Sequence, residues 1–596
     1  MIEKKIIMKI DKEFKKKVSF IGKIILISII LSSWIVVFID FNVMYDNNKT
    51  SMWVHCPSIV VENEDFEVTV EAWDQYERLA GAYKGKISFR IESYNYTTLE
   101  KIENVISDLP NDYEFTSNFI WKGLVPAYNI KDADNGKRTF IIKISTPGIH
   151  YIKIKDKDTG EKYRSNPIIA KPENTYFKKL FWGDLHGHTS YSDGSGTPEE
   201  AYEFARDVAL LDFAALTDHS EMFPRIGEVD LFDRFQNYID ITNEFNDDGQ
   251  FATIVAMEWT PWISGPGTSF PTEHINIYFE NNDMPFYSSL TDSNPEDIYE
   301  AIEKESDDEF LSWTHHSIRS TMPSDFGFYD EDINTMAEIY SCHGSCECCG
   351  KDNLYTQAQE TEGDGYSIRD ALKMGRKFGL MASGDSHDGR LGHSISHTNA
   401  RALNQQPSTT AGYRYGTPYP NGLTGIYSDT LDRNNVFKAL QKRSAYATTW
   451  INRHYIEFSI NGLTVGINDS TLQVPKVDST REINILLCAD GVSLKPNKKI
   501  KIEEVEIFKN SELWILYENL DESLVKITVN DTSLITGTEY EDCIKRDDGK
   551  WYIHERSIKP VDPDDLDTDG ADYYYVRMQD SEGGAAWIGP IWVEVS

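Results

Sequence analysis

Through the middle of this chain, one short apolar run after another ends on a residue that can bind a metal ion, and this recurrence restricts the fold more than any other feature. The run opening Phe181-Trp-Gly183 delivers His186, His188 and Asp193. Leu211-Asp-Phe-Ala-Ala-Leu216 leads into Thr217-Asp-His219, and Ile254-Val-Ala-Met257 into Glu258. Phe310-Leu-Ser-Trp-Thr314 leads into His315, and Leu380-Met-Ala-Ser-Gly384 into Asp385-Ser-His387. Strand side chains alternate with period two, so His186 and His188 at a strand end share a face. Imidazole nitrogens suit zinc, iron or manganese, and a nearby carboxylate compensates charge. Ten of the 14 histidines lie between residues 186 and 397; hydrogen-bonded core histidines would not be concentrated there. His150, His393, His397 and His454 read as ordinary.

With 596 residues the chain is too long for one core and should divide into about three domains. Lys and Arg total 59 against 96 Asp and Glu, a net charge of -37. That balance repels nucleic acid and anionic lipid, and no nucleic-acid partner is expected. A lysine-rich tail over residues 1–17 precedes an apolar stretch over 18–41 that reaches spanning length if Lys23 snorkels. No small-x-small cleavage site follows. The expectation is an uncleaved transmembrane signal anchor: a single-pass cell-membrane protein with its bulk outside the cytoplasm, or a secreted one if the signal is cleaved. Four of seven cysteines crowd into Cys342-His-Gly-Ser-Cys346-Glu-Cys348-Cys349. In an exported chain loop disulfides rank first, free thiols second and a separate metal site last.

The chain reads as multidomain α/β plus β. Residues 51–172 alternate as short strands and resemble an immunoglobulin-like β-sandwich, a spacer poor in chemistry. Over 176–453 strands alternate with helices; Thr197-Pro-Glu-Glu200 supplies an N-cap, a first-turn proline and a capping-box glutamate. Strand candidates around residues 180, 213, 254, 277, 312, 338 and 381 approach a (β/α) barrel, in which chemistry gathers at the C-terminal strand ends. Residues 454–596 form a C-terminal β-rich unit. Its Asp565-Leu-Asp-Thr-Asp-Gly570 reads as a solvated acidic turn, because Val576 stands where a calcium loop would place glutamate.

With these segments assembled, the chain resembles the PHP superfamily, named for polymerase and histidinol phosphatase domains. The match consists of Asp184-Leu-His-Gly-His-Thr189, Ser192-Asp-Gly194, Thr217-Asp-His219, Glu258, His315 and Gly384-Asp-Ser-His387. More narrowly it is similar to a domain-of-unknown-function branch of that superfamily, through Phe181-Trp-Gly183, Glu258-Trp-Thr260, Glu338-Ile-Tyr-Ser341 with His343-Gly344, Leu423-Thr-Gly-Ile-Tyr427, Tyr446-Ala-Thr-Thr449, Trp587 and Pro590-Ile-Trp592. The resemblance spans residues 176–596 and implies a distorted seven-stranded PHP-like barrel holding two or three divalent ions of zinc, manganese or iron. By that resemblance His186, His188, Glu258 and Asp385 hold one metal, and Glu258, His274 and His315 a second. Asp193, His219 and His387 hold a third. His316 competes with His315, and spacing leaves both open.

Clustered divalent ions generate a metal-bound hydroxide near neutral pH and polarise the scissile bond. Asp184 and Asp218 flank the ligand histidines and are candidates to orient them or relay a proton, beside a plain turn role; His343 joins them as a catalytic candidate. Arg319 and Arg390 are candidates to grip a phosphate. The expected protein is a membrane-anchored metal-dependent hydrolase of a small-molecule or polymer-borne ester, a phosphoesterase first. The alternatives are hydrolysis of an amide, lactone or sulfate ester by the same metals, or a cell-surface binding protein with a metal-stabilised inactive barrel.

Overall fold

The structure, a computed structural model, describes residues 47–595 apart from 75–78, 123–124, 128–131, 224–230, 262–272, 288–293, 306–308, 358–359, 362, 393–418, 469–470, 475–479 and 492–495. Among the described residues, strands account for 40% and helices for 12%.

Alternating sequences in the N-terminal part produce two sheets that face one another. One runs Ser51–His55, Asp65–Trp73, Lys137–Ile144, Ser107–Asp108. The other is ordered Ile59–Val61, Ile168–Lys171, Gly148–Asp156, Lys86–Tyr94, Tyr113–Glu114, with Lys162–Arg164 on Gly148–Asp156. Val68, Val70 and Ala72 from the first sheet and Ile152, Ile154 and Ile168 from the second share one buried core, which is what period-two patterning demands of facing sheets. Polar contacts tie this unit to the rest: Trp182 Nε1 donates to Ser58 Oγ at 2.9 Å, and the Tyr151 hydroxyl to the Ala489 carbonyl at 2.9 Å.

Each segment around 180, 213, 254, 277, 312, 338 and 381 is a strand, but they do not close into the expected (β/α) barrel. Lys179–Asp184 pairs in parallel with Phe213–Ala214, which pairs in parallel with Ala252–Thr253. On its other edge Lys179–Asp184 is antiparallel to Gly422–Ser428. Val255–Trp259, Ile275–Phe279 and Phe310–Thr314 form a separate antiparallel sheet. Met336–Ser341 pairs in parallel with Gly379–Ala382 in a third. A parallel barrel needs a crossover helix after each strand, whereas the described residues contain five α-helices for this region's mixed pairings. The barrel expectation is therefore corrected to a mostly β molecule with a half-barrel sheet.

That sheet continues through Ala445–Thr449 into Ala585–Val595, Asp572–Asp580, Ile502–Lys509 and Glu512–Tyr517, with Thr471–Val474 also paired to Ala585–Val595. The last strands of the chain thus extend the sheet that carries His186 and His188. The helix Pro198–Asp207 forms where Thr197 caps it: Thr197 Oγ1 accepts from Glu200 N at 3.3 Å and Glu200 Oε2 from Thr197 N at 3.0 Å. Ala201, Tyr202 and Ala205 bury its inner face.

The single-pass membrane localisation is also corrected. The anchor expected over 18–41 lies outside the described residues, and among the described residues no helix is long and apolar enough to cross a membrane. The favoured loop disulfides do not form either; all seven cysteines are free. Two thiols of the cluster have separate partners: Cys342 Sγ donates to the Asp385 carbonyl at 3.1 Å, and Cys346 Sγ accepts from Gln357 Nε2 at 3.0 Å.

Candidate metal centre

The strand Lys179–Asp184 continues as an extended segment through His188, lying alongside the segment that follows Gly379–Ala382. Asp385 N donates to the His186 carbonyl and His188 N to the Ser386 carbonyl, each at 2.8 Å. These bonds bring His186, His188 and Asp385 together. His186 Nε2 and His188 Nε2 are 3.3 Å apart, and both stand 3.2 Å from Glu258 Oε2. Asp385 Oδ1 is 3.5 Å from His186 Nε2 and 3.3 Å from His188 Nε2.

Glu258 turns its other oxygen the opposite way. Its Oε1 lies 2.7 Å from His274 Nδ1, 3.2 Å from His219 Nδ1 and 3.5 Å from His315 Nε2. One buried carboxylate therefore stands between two sets of imidazoles. A further group of donor atoms, from His188, Asp193, His219 and His387, lies within 4.8 Å of one another. Asp193 Oδ1 is 3.2 Å from His387 Nε2 and 3.6 Å from His219 Nε2. Gly194 allows this approach, since a Cβ there would sit 2.3 Å from the His188 carbonyl oxygen. Asp193, with 35% of its side chain exposed, is where the cluster meets solvent.

His315 and His316 both reach the centre. Neighbours on a strand point to opposite faces, but His316 has φ +34°, which breaks the alternation. Its ring centroid comes within 4.4 Å of that of His315 and 4.8 Å of that of His274. Asp385 is likewise left-handed, at φ +48°, a backbone strain characteristic of functional sites.

Burial would raise the carboxyls of Glu258 and Asp385, but the histidines around them hold both well below the usual range. Burial would lower His186 and His188; Asp385, Glu338 and Glu258 lift His186 well above its ordinary value, and Asp385 and Glu258 bring His188 to about 10. His219 is pushed down to about 4 by burial, and His274, His316 and His343 are lowered with burial the largest cause. The cluster thus draws positive charge to its centre, the condition that suits a divalent cation. The donor set fits such an ion. His315 is 1% exposed, and neither of its ring nitrogens has a hydrogen-bond partner, a cost that a metal bond to one of them would offset.

Of the two roles open to Asp184 and Asp218, orienting the histidines or holding a turn, their hydrogen bonds serve mainly the second. Asp218 also reaches His188 through Ser192 Oγ, which stands 3.5 Å from His188 Nδ1. Asp184 accepts from the backbone N–H groups of Gly392, Gly384 and His186, at 2.7, 2.8 and 3.2 Å. Asp218 accepts from Thr189 N and Oγ1, both at 2.8 Å, and from Ser192 Oγ at 2.5 Å. Both pin loops in place. Orientation falls to residues that local sequence reading did not assign. Glu338 Oε2 accepts from His186 Nδ1 at 2.9 Å, which leaves Nε2 facing the centre. Thr260 Oγ1 donates to Glu258 Oε1 at 2.7 Å and so accepts from His219 Nδ1 at 2.8 Å, turning His219 Nε2 toward Asp193. Glu338 and Thr260 lie within segments already singled out, but their role depends on contacts 152 and 41 positions away in the chain. Glu338→Gln is expected to weaken metal binding by about 10–100-fold with little effect on folding, read by metal titration of the purified variant.

His343 lies at the same centre, its Nε2 2.8 Å from Asp385 Oδ2. Arg319 Nη1 is 3.3 Å from His343 Nδ1. Arg390 instead lies over the Phe204 ring, 5.4 Å from its centroid. His150 and His454 are in ordinary surroundings, bonded to Ser93 and Asp580 respectively. His393 and His397 fall outside the described residues.

No family model matches the chain. It is similar to a protein described as uncharacterized from Chlamydia muridarum, 22% identical over 550 residues that cover 91% of this chain and 74% of that protein. A protein from Chlamydia trachomatis is 21% identical over 549 residues, with the same coverage. Among solved structures, a Parabacteroides merdae beta-glucuronidase is 9% identical at a TM-score of 0.15, covering 92% of this chain and 66% of that one. A Bacteroides cellulosilyticus glycosyl hydrolase family 2 member is 9% identical at a TM-score of 0.16, covering 92% and 63%. The chain spans less than two thirds of either structure, and superpositions at that level identify neither fold nor activity. Groups of His, Asp and Glu able to hold metal ions are established by the geometry of the centre itself.

Proposed function

We propose that the chain is a metal-dependent hydrolase of esters, with phosphoesters its foremost substrate class and a small-molecule or polymer-borne ester its partner. The observation that carries this reading is Glu258, whose two oxygens face His186 and His188 on one side and His274 and His315 on the other. Divalent ions held there supply Lewis acidity, lowering the pKa of water toward about 7 and stabilising negative charge on oxygen.

The chain's own residues do the rest. Glu338 and Thr260 hold His186 and His219 with the correct nitrogen inward. Asp193 lies at the solvent-reaching edge, where a substrate enters. Arg319 is 8% exposed, its Nε has no hydrogen-bond partner, and no carboxylate pairs with it among the described residues. A buried guanidinium without a counter-ion is costly unless an anion arrives, and the phosphoryl oxygens of a bound ester meet that need. This, with the PHP-like order of the motifs, supports a phosphoester over a neutral ester. The net charge of -37 disfavours nucleic acid as the carrier.

The test is elemental analysis of the purified full chain together with assays on phosphomonoesters and phosphodiesters, with Asp385→Ala and Arg319→Ala beside it. Metal-dependent turnover is expected, abolished in Asp385→Ala and with a raised KM in Arg319→Ala. Bound metal without phosphoester turnover would point to another ester class or to a binding protein, and a metal-free chain would end the proposal.

A further inference from the structure

Resting on the metal-centre reading, we propose that His316 is a nitrogen donor alongside His274 and His315 to an inner ion that Glu258 Oε1 also faces, so that this position is filled by the protein. The position at Asp193 is then the one open to substrate.

Period-two alternation would let only one of His315 and His316 face the centre. The left-handed backbone at His316, φ +34°, removes that restriction. Ring nitrogens of His274, His315 and His316 lie within 4.8 Å of one another, and all three residues are buried. His316 Nδ1 and both nitrogens of His315 are buried without hydrogen-bond partners. Neutral imidazoles can pair N–H to N, yet these three nitrogens find no such partner among the crowded rings, and a shared cation would satisfy them. A histidine held at positive φ is uncommon, and the strain is explained if the ring is required there.

The two ends of the cluster then differ. The inner set brings three buried imidazoles within 4.8 Å of one another, and the buried Glu258 Oε1 stands beside two of them, 2.7 Å from His274 Nδ1 and 3.5 Å from His315 Nε2, a donor set closed to solvent as a structural ion requires. The outer set includes Asp193, 35% exposed, and His387, 10% exposed, and keeps room for water and substrate.

His316→Asn separates these roles, because asparagine tolerates the left-handed backbone while removing the imidazole. The full-length protein and the variant are loaded with zinc, dialysed and analysed for zinc per chain, and release into excess chelator is followed in time. The wild type is expected to release zinc in a fast and a slow phase. His316→Asn should lose the slow phase and bind one equivalent less, with unchanged circular dichroism. Equal zinc content and equal release in wild type and variant overturn the role of His316 while leaving the metal centre standing. A wild type that binds no zinc overturns the metal-centre reading itself. If the asparagine variant does not fold, His316→Gly, which also accepts positive φ, is read in the same way, and a single release phase in the wild type overturns the inner and outer distinction without any variant.

Discussion

Glu258→Ala is expected to strip metal from two positions at once and to abolish turnover, whereas His219→Ala lowers metal content chiefly at the Asp193 end. The difference follows from the geometry. Both oxygens of Glu258 are engaged, Oε2 by His186 and His188 and Oε1 by His274, His219 and His315. Removing it leaves five imidazoles around a space with one carboxylate fewer, where any cation is repelled more and attracted less. The loss should exceed the roughly 100-fold typical of removing a group that merely orients a ligand. Elemental analysis and turnover measured on the same sample decide the matter, and full metal content and rate in Glu258→Ala would falsify the assignment.

Glu347→Ala should produce the largest loss of stability, about 3–5 kcal/mol. Glu347 is completely buried and holds four partners: Arg577 Nη1 at 2.7 Å, and Trp587 Nε1, Arg369 Nη2 and the Tyr575 hydroxyl at 2.8 Å. Alanine leaves two guanidiniums with a shared counter-ion missing and two further donors unsatisfied. Arg577 keeps Glu506, so the damage is not total. The same network predicts an acid limit. Burial alone would raise Glu347, but Arg577 and Arg369 bring it down to about 2. A carboxyl lowered in the folded state stabilises it above its unfolded pKa of about 4.3 and loses that contribution as pH falls toward the folded value. Denaturant midpoints measured between about pH 5 and pH 3 should therefore fall more steeply for the wild type than for Glu347→Ala. A parallel decline would show that other carboxylates set the acid limit.

This network also links the end of the chain to the centre. Glu347 follows His343, which touches Asp385, on the loop leaving Met336–Ser341. Arg577, Tyr575 and Trp587 belong to Asp572–Asp580 and Ala585–Val595. A loop at the centre is thus braced by strands more than 200 positions away in sequence.

The sequence alone determined where strands lie in the middle of the chain and which polar residues stand at their ends. His186, His188, Asp193, His219, Glu258, His274, His315, Asp385 and His387 gather at one place, and the apolar runs before them made most of these positions readable. Periodicity encodes which face a side chain takes, a local property of the extended backbone. It does not encode whether a neighbouring strand runs parallel or antiparallel, so the strands divide among open sheets where a barrel was expected. Tertiary structure alone decided the residues that act through others. Glu338 meets His186 across 152 positions, Thr260 bridges Glu258 and His219, and Asp184 and Asp218 spend their hydrogen bonds on loops. It also decided that His315 and His316 face the same way, because one backbone angle at His316, unreadable from residue type, overrides the alternation on which any reading of the sequence must rely.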